Sequence, residues 1–313
     1  MKILLLGNGA HAKKRILPAL KKIDSLEKIV IGDRSVSENK DLNNKIKVIN
    51  YNESISSPDI FDLCIIATPP YNHTDSLKKI YNKADKILIE KPISSDINWI
   101  FSKEFKNLYT NKNLFEAIMF FHHPAWDQVK RIINEYEINK IISEFSVPHL
   151  EKESYRYKKN FGGGSLNDQG IYPISLASEL IENSYYLKKV KVSSEKNYEV
   201  DLFGEFEMLI DNKIDFTGKW GLGKEYKNYI RLFNTSGLEL LVNFFYSKPE
   251  GQNMQIEFKN ISGKSDETIN VSDQFKNMYL DIMNNKLDKF SYSEYKNLIK
   301  RYQIFQEILK HYH

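Results

Sequence analysis

The amino-acid sequence predicts an α/β chain in two parts: a doubly wound parallel sheet, then an α+β domain with an open, mostly antiparallel sheet. Three observations predict it. Short apolar runs alternate with helical patterns through the first ~120 residues, as repeated βα units do. The first run ends in a glycine turn, Gly7-Asn8-Gly9, that opens a helix. From about 187 to 260, strand-like segments follow one another with turn residues between them. A chain of 313 residues suits two domains at ~150 residues each. The patterning divides it into residues 1–121 and 122–313.

The elements follow in order. Lys2-Ile3-Leu4-Leu5-Leu6 is continuously apolar, as expected of a strand covered on both faces. Residues 11–22 read as a helix with Ile16, Leu17 and Leu20 on one face, and Pro18 is expected to bend it. Lys28 to Gly32 and Phe61 to Ala67 are strands, the second ended by Thr68-Pro69-Pro70. His73 to Ala84 is a helix. Lys86 to Ile89 is a strand stopped by Glu90-Lys91-Pro92, and Asn113 to Phe120 is a further strand. Residues 124–138 and 164–182 are helical, the latter after a glycine run. Gly204 to Ile210, Tyr229 to Phe233 and Leu238 to Val242 read as strands, with Asp211-Asn212 and Thr235-Ser236-Gly237 as turns. An amphipathic helix from Ser293 closes the sequence.

Composition narrows the function classes. The net charge is only +4, with acidic and basic residues interspersed, so no clustered basic stripe marks a nucleic-acid surface. The single cysteine, Cys64, excludes an intrachain disulfide and reads as a small buried residue. The apolar start, Met1 to Leu6, is too short for a signal peptide, and no stretch approaches the ~20 apolar residues of a membrane span. A cytoplasmic protein is expected. His122-His123, adjacent on an expected strand, point to opposite faces and chelate poorly, so no metal site is expected.

Gly7-Asn8-Gly9-Ala10-His11-Ala12 matches G-x-G-x-x-G/A after a strand and before a helix. The first glycine permits the tight turn, the second lets the backbone approach a pyrophosphate, and small Ala12 lets helix pack on strand. The helix N-terminus offers N–H groups to the anion. Asp33, ~20 residues on at the end of the second strand, suits both hydroxyls of an adenosine ribose. These residues predict a dinucleotide-binding Rossmann domain. Asp33 favours NAD(H), since it repels a 2′-phosphate. Arg34 beside it keeps NADP(H) open.

With these residues in view, the chain resembles the glucose-fructose oxidoreductase / inositol dehydrogenase / MocA family over nearly its full length. The resemblance rests on the glycine turn, on Ala67-Thr68-Pro69-Pro70 with His73, and on Glu90-Lys91-Pro92. It rests also on Gly162-Gly163-Gly164-Ser165-Leu166-Asn167-Asp168-Gln169-Gly170-Ile171-Tyr172-Pro173. It implies a Rossmann domain followed by an α/β domain with a large open antiparallel sheet. It also implies that Lys91 lies beside nicotinamide and substrate, and that Asp168 and Tyr172 complete the catalytic set. Thr68, Pro69, His73, Glu90 and Lys91 would line the cofactor, with His73 a helix-start residue of the cleft. Narrower similarity to nucleotide-sugar ketoreductases is carried by Glu116-Ala117-Ile118-Met119 with His123-Pro124, by Glu225-Tyr226-Lys227-Asn228, and by Gly237 and Phe244-Phe245. In such relatives an Arg often precedes the His-Pro pair; here Phe121 fills that place.

Carbonyl reduction builds negative charge on oxygen. An ammonium stabilises that charge, and a Tyr or Lys of suitable pKa delivers the proton. Asp168 and Tyr172, spaced i, i+4, share a face if the segment is helical. Plainer readings stand beside these: Lys91 as a solvated strand-end charge, Tyr172 as a core aromatic, Asp168 as a local cap. The stretch Tyr155-Arg156-Tyr157-Lys158-Lys159 reads as a mobile polar loop, either solvated or touching a nucleotide diphosphate. The function expected is hydride transfer between nicotinamide and a sugar carbonyl, on a nucleotide-linked keto-sugar. Alternatives are an imine reductase, a dihydrodiol-type dehydrogenase, or a cofactor-binding protein without turnover. A homodimer or homotetramer is expected through the open sheet face.

Overall fold

The computed structural model describes residues 1–111, 113–248, 251–260, 263–284 and 291–311. It comprises two compact units, Met1–Ile118 with Phe275–Lys296, and Met119–Gln274 with Asn297–His313.

The first unit is built on seven strands: β1 (Lys2–Leu6), β2 (Lys28–Asp33), β3 (Lys40–Asn43), β4 (Ile46–Asn50), β5 (Leu63–Ile66), β6 (Lys86–Ile89) and β7 (Asn113–Glu116). Their order is β3-β4-β2-β1-β5-β6-β7. Every pairing is parallel except that of β3 with β4. Ile3 to Leu6 are buried on both faces, as their unbroken apolar run requires. From β1 the chain winds first to β2 on one side, then to β5 on the other. That switch leaves a crevice at the carboxyl ends of β1 and β5.

The helix after β1 opens with a π turn, Ala12–Ile16, and continues as α-helix over Leu17–Lys21. Pro18 falls in the first turn of the α segment, directly after the π turn. The strand expected over 113–120 stops at Glu116, and Met119–His122 form a 3-10 turn.

The second unit holds β8 (Lys140–Val147), β9 (Tyr185–Ser193), β10 (Phe203–Ile210), β11 (Ile214–Leu222), β12 (Lys227–Phe233), β13 (Glu239–Asn243), β14 (Met254–Asn260) and β15 (Gly263–Ile269). Their order is β15-β14-β13-β12-β8-β11-β10-β9, antiparallel except for β8 with β11. Asp211 and Asn212 take φ values of 50° and 53° between β10 and β11, as a tight hairpin turn demands. Phe206, Phe216, Trp220, Ile230 and Leu240 are buried in this unit, as are Val129 and Ile132 of the helix Pro124–Glu135. The outward side chains instead form ion pairs, among them Lys189 with Glu205 and Glu207, and Lys227 with Glu144.

The segment Phe275–Lys296, which the patterning assigns to the second domain, belongs to the first unit. Side chains explain why. The Phe275 ring lies 5.7 Å from that of His11, and Lys86 Nζ donates to the Met283 carbonyl at 3.2 Å. The Tyr295 ring packs 5.2 Å from Tyr109. Among the described residues, no helix is long and apolar enough to cross a membrane, and no cluster of three potential metal ligands occurs.

His123 is not a strand residue but the N-cap of the helix Pro124–Glu135. Its Nδ1 accepts from the Ala125 N–H at 3.1 Å, and its buried Nε2 has no hydrogen-bond partner among the described residues. Burial, helped by the charge of Lys248, lowers its pKa from 6.5 to about 4. Between those values the unfolded chain holds a proton that the folded chain refuses. Stability present above pH 6.5 is therefore lost as pH falls toward 4, by up to roughly 3 kcal/mol. His123→Asn keeps a capping acceptor and removes the titration. Urea unfolding at pH 5 and pH 7 should give a smaller difference for the variant than for the wild type; equal differences defeat this account.

Candidate active site

In the first unit the expected cofactor residues gather at the carboxyl ends of β1, β2, β5 and β6. Gly7 has φ +107°, and a Cβ there would stand 2.5 Å from the Ala67 carbonyl oxygen. The fold itself thus demands this glycine, because the turn after β1 presses on the turn after β5. Gly9 differs: a Cβ there would meet nothing within 4 Å. Among the described residues no atom requires a glycine at position 9, and the space beside it suits a phosphate drawn close to the backbone. Gly9 and Ala10 are exposed, and Ala12 is buried beneath the helix.

Asp33 ends β2, its carboxylate fixed by three donors. Asn8 Nδ2 reaches Oδ2 at 2.9 Å, and the Ser35 N–H and hydroxyl reach Oδ1 at 2.9 and 2.8 Å. Burial pushes its pKa up, but these donors outweigh it and hold the group below the usual aspartate value. It therefore stays charged at neutral pH, as a ribose acceptor must. Arg34 is exposed, lies 4.9 Å over the Tyr51 ring and donates to the Tyr71 hydroxyl at 3.3 Å.

His73 is buried between two loops. Only 1% exposed, it sets Nε2 2.7 Å from the Thr68 carbonyl and Nδ1 2.8 Å from that of Pro92. Burial outweighs the two carbonyls and pulls its pKa below the usual imidazole value. His73 begins its helix as expected and lies between the backbone that carries Thr68-Pro69 and the backbone that carries Lys91, where its neutral ring donates its one N–H to one of the two carbonyls. Glu90 lies 3.0 Å from His11 Nε2. Burial pushes the Glu90 carboxyl up, but His11, with Lys91 and His73, outweighs it and holds the group low. Lys91 lies two residues past the end of β6, half-buried, in a cis peptide bond to Pro92. The Ile93 N–H donates to Glu116 at 2.8 Å and fixes the exit of this turn.

The second unit carries Asp168 and Tyr172. The predicted helix begins with a π turn, Leu166–Gly170, before the α-helix Ile171–Leu180. That wider turn shifts the i, i+4 register on which a shared face depends. The Asp168 carboxylate goes to Arg156 Nε at 2.5 Å and Gln169 Nε2 at 2.6 Å. The Asp168 charge, against burial, raises the Arg156 pKa further above its usual value. Tyr172, 4% exposed, sets its hydroxyl 3.7 Å from Met119 Sδ, and its ring meets Phe145 edge-on at 4.8 Å.

The stretch read as a mobile loop is instead a fixed turn, Tyr155–Tyr157, capped by Ser154. Tyr157 anchors it in a cluster with Val200, Leu202 and Leu222. Arg156, the partner of Asp168, was not legible as such, because twelve residues separate the two and no local pattern links them.

A parallel sheet whose first turn leaves room for a phosphate, with a charged carboxylate closing the next strand, defines an NAD(P)-binding oxidoreductase fold. Comparison with known proteins makes this specific. Residues 1–115 match the Gfo/Idh/MocA group, described as the oxidoreductase family with NAD-binding Rossmann fold. A dTDP-3,4-didehydro-2,6-dideoxy-α-D-glucose 3-reductase from Saccharopolyspora spinosa is 24% identical over 80% of this chain and 76% of that protein. A namesake from Streptomyces violaceoruber is 22% identical over 88% and 82%. A 3-ketoreductase from Actinomadura kijaniata, solved with NADP and TDP-benzene, has the same fold. Its TM-score is 0.86 at 18% identity, over 99% of this chain and 97% of that one. Other solved forms of that enzyme replace a lysine by alanine or glutamate and a tyrosine by phenylalanine.

Proposed function

We propose that this oxidoreductase transfers hydride between a nicotinamide cofactor and the carbonyl of a nucleotide-linked keto-sugar. The observation that carries the reading is the space at Gly9 beside the charged Asp33, within a chain whose relatives over four-fifths of its length reduce dTDP-linked keto-sugars. Gly7, Asn8, Gly9, Ala10, His11 and Ala12 hold the pyrophosphate in this reading. Asp33 takes the adenosine ribose and favours NAD(H). Arg34 is the residue that would hold a 2′-phosphate, and the NADP in the Actinomadura ketoreductase keeps that cofactor in play.

The nicotinamide, when bound, supplies or accepts the hydride. Lys91 sets its ammonium against the charge that grows on the carbonyl oxygen. Tyr172 passes the proton, and Asp168, itself held by Arg156, orients the sugar side. His73 and Glu90 keep the Lys91 turn in place from behind. The replaced lysine and tyrosine of the Actinomadura enzyme are the same two residue types, which supports the assignment. The reading also makes the chain a cytoplasmic homo-oligomer that associates through the ion-paired face of its second sheet.

The test is turnover of a dTDP-linked 3-keto-sugar, followed as loss of reduced cofactor. NADH should serve better than NADPH, and Asp33→Ser should move the preference toward NADPH. No oxidation of either cofactor would remove the substrate assignment, and a strong preference for NADPH in the wild type would remove the role of Asp33.

A further inference from the structure

We propose that Arg156 is an anion-binding fork, and that the outer edge of its guanidinium takes the diphosphate of the nucleotide-linked substrate. The inference rests on the functional reading above and adds to it the residue that recognises the carrier.

A guanidinium has five N–H donors in a fixed plane. Arg156 uses one of them, Nε, on Asp168 at 2.5 Å. Among the described residues its two Nη groups have no hydrogen-bond partner. The side chain is only 28% exposed, so these donors are not simply dissolved in bulk water. Half-buried donors of this kind are costly to leave unmet. A phosphate presents paired oxygens at the spacing that the planar fork matches.

The cation is also held still, which distinguishes it from the exposed lysines nearby. Its Cζ lies 4.8 Å over the Tyr155 ring. Asp168, which fixes Nε, is fixed in turn by Gln169 Nε2 at 2.6 Å and by its own N–H on the Gly164 carbonyl at 3.1 Å. The backbone beneath is docked as firmly. The Gly164 N–H donates to the Arg156 carbonyl at 2.8 Å. A Cβ on Gly163 would stand 2.6 Å from that same oxygen. The glycine run therefore seats the Arg156 turn. Through Asp168 the fork is tied to the helical segment that carries Tyr172, so a diphosphate on it would lie beside the element that carries the sugar-side residues.

The experiment is calorimetric titration of the protein, with dinucleotide bound, by thymidine 5′-diphosphate and separately by thymidine. The wild type should bind the diphosphate far more tightly than the nucleoside. Arg156→Gln and Arg156→Lys should each lose roughly 10–100-fold in diphosphate affinity, with thymidine and dinucleotide binding unchanged. Arg156→Lys keeps a cation beside Asp168 and so guards against a folding defect. Diphosphate affinity retained in both variants overturns the proposal, and so does an equal loss for thymidine, which would mark Arg156 as a support for the turn alone. A wild type that binds dinucleotide but not the diphosphate overturns this inference together with the substrate class, while leaving the oxidoreductase fold untouched.

Discussion

Lys91→Ala loses roughly 10²–10⁴-fold in kcat and still binds dinucleotide. The expectation follows from what surrounds the residue. Its backbone is fixed before it by the Glu90 N–H on the Ile66 carbonyl at 2.9 Å, and after it by His73 at the Pro92 carbonyl and by the Ile93 N–H on Glu116. Removing the side chain should leave that backbone standing. In the proposed assignment the pyrophosphate and ribose contacts follow β1 and β2, so affinity for the dinucleotide should survive. What the variant removes is the ammonium proposed to face the developing oxyanion. Stopped-flow measurement of the hydride step, with dinucleotide titration alongside, separates the two effects. Lys91→Arg should recover little, because a planar fork does not place charge where a compact ammonium does. Near-normal turnover in Lys91→Ala would falsify the role of this residue.

The second large effect is on folding. Asp201 is 2% exposed, and its Oδ2 receives the Ser165 hydroxyl at 2.5 Å, the Leu166 N–H at 2.6 Å and Trp220 Nε1 at 3.3 Å. Its own carbonyl accepts the Ser165 N–H at 3.0 Å. One carboxyl group therefore caps the helical segment that bears Asp168 and Tyr172 and ties it to β11. Asp201→Ala strands three buried donors and should cost roughly 3–5 kcal/mol. The melting temperature should fall by about 10 °C or more. Asp201→Asn keeps the shape and one acceptor oxygen and should cost less. A loss below about 1 kcal/mol in the alanine variant would show that the segment is held elsewhere.

The features legible in the sequence were those whose causes are local. The apolar run of β1, the glycine turn and the strand before Glu90-Lys91-Pro92 each declare themselves within a few residues, and the structure has them there. The open sheet was legible from its hairpin turns, but its central strand β8 was not. Ser143, Glu144 and Ser146 interrupt the apolar pattern of β8, because Ser143 meets the Tyr246 hydroxyl and Glu144 accepts from the Tyr229 hydroxyl. These polar partners come from distant parts of the chain and leave no periodic trace. The π turns at Ala12–Ile16 and Leu166–Gly170 were equally hidden, since no residue type announces an i→i+5 bond. Of the site residues, His73 was expected to start a helix and does, but its two carbonyl neighbours, which only the folded loops bring near, were not legible.

The return of Phe275–Lys296 to the first unit has a bearing on how this protein can be divided. The polypeptide passes between units after Ile118, after Gln274 and after Lys296, so no single cut yields two whole domains. A fragment ended at Ile118 would bare Tyr109 and the underside of His11, apolar surface that the later segment shields. During synthesis the first-made portion must therefore wait for residues 275–296 to be complete. Gene fusions or recombination that exchange only the N-terminal part would have to carry that distant stretch with them.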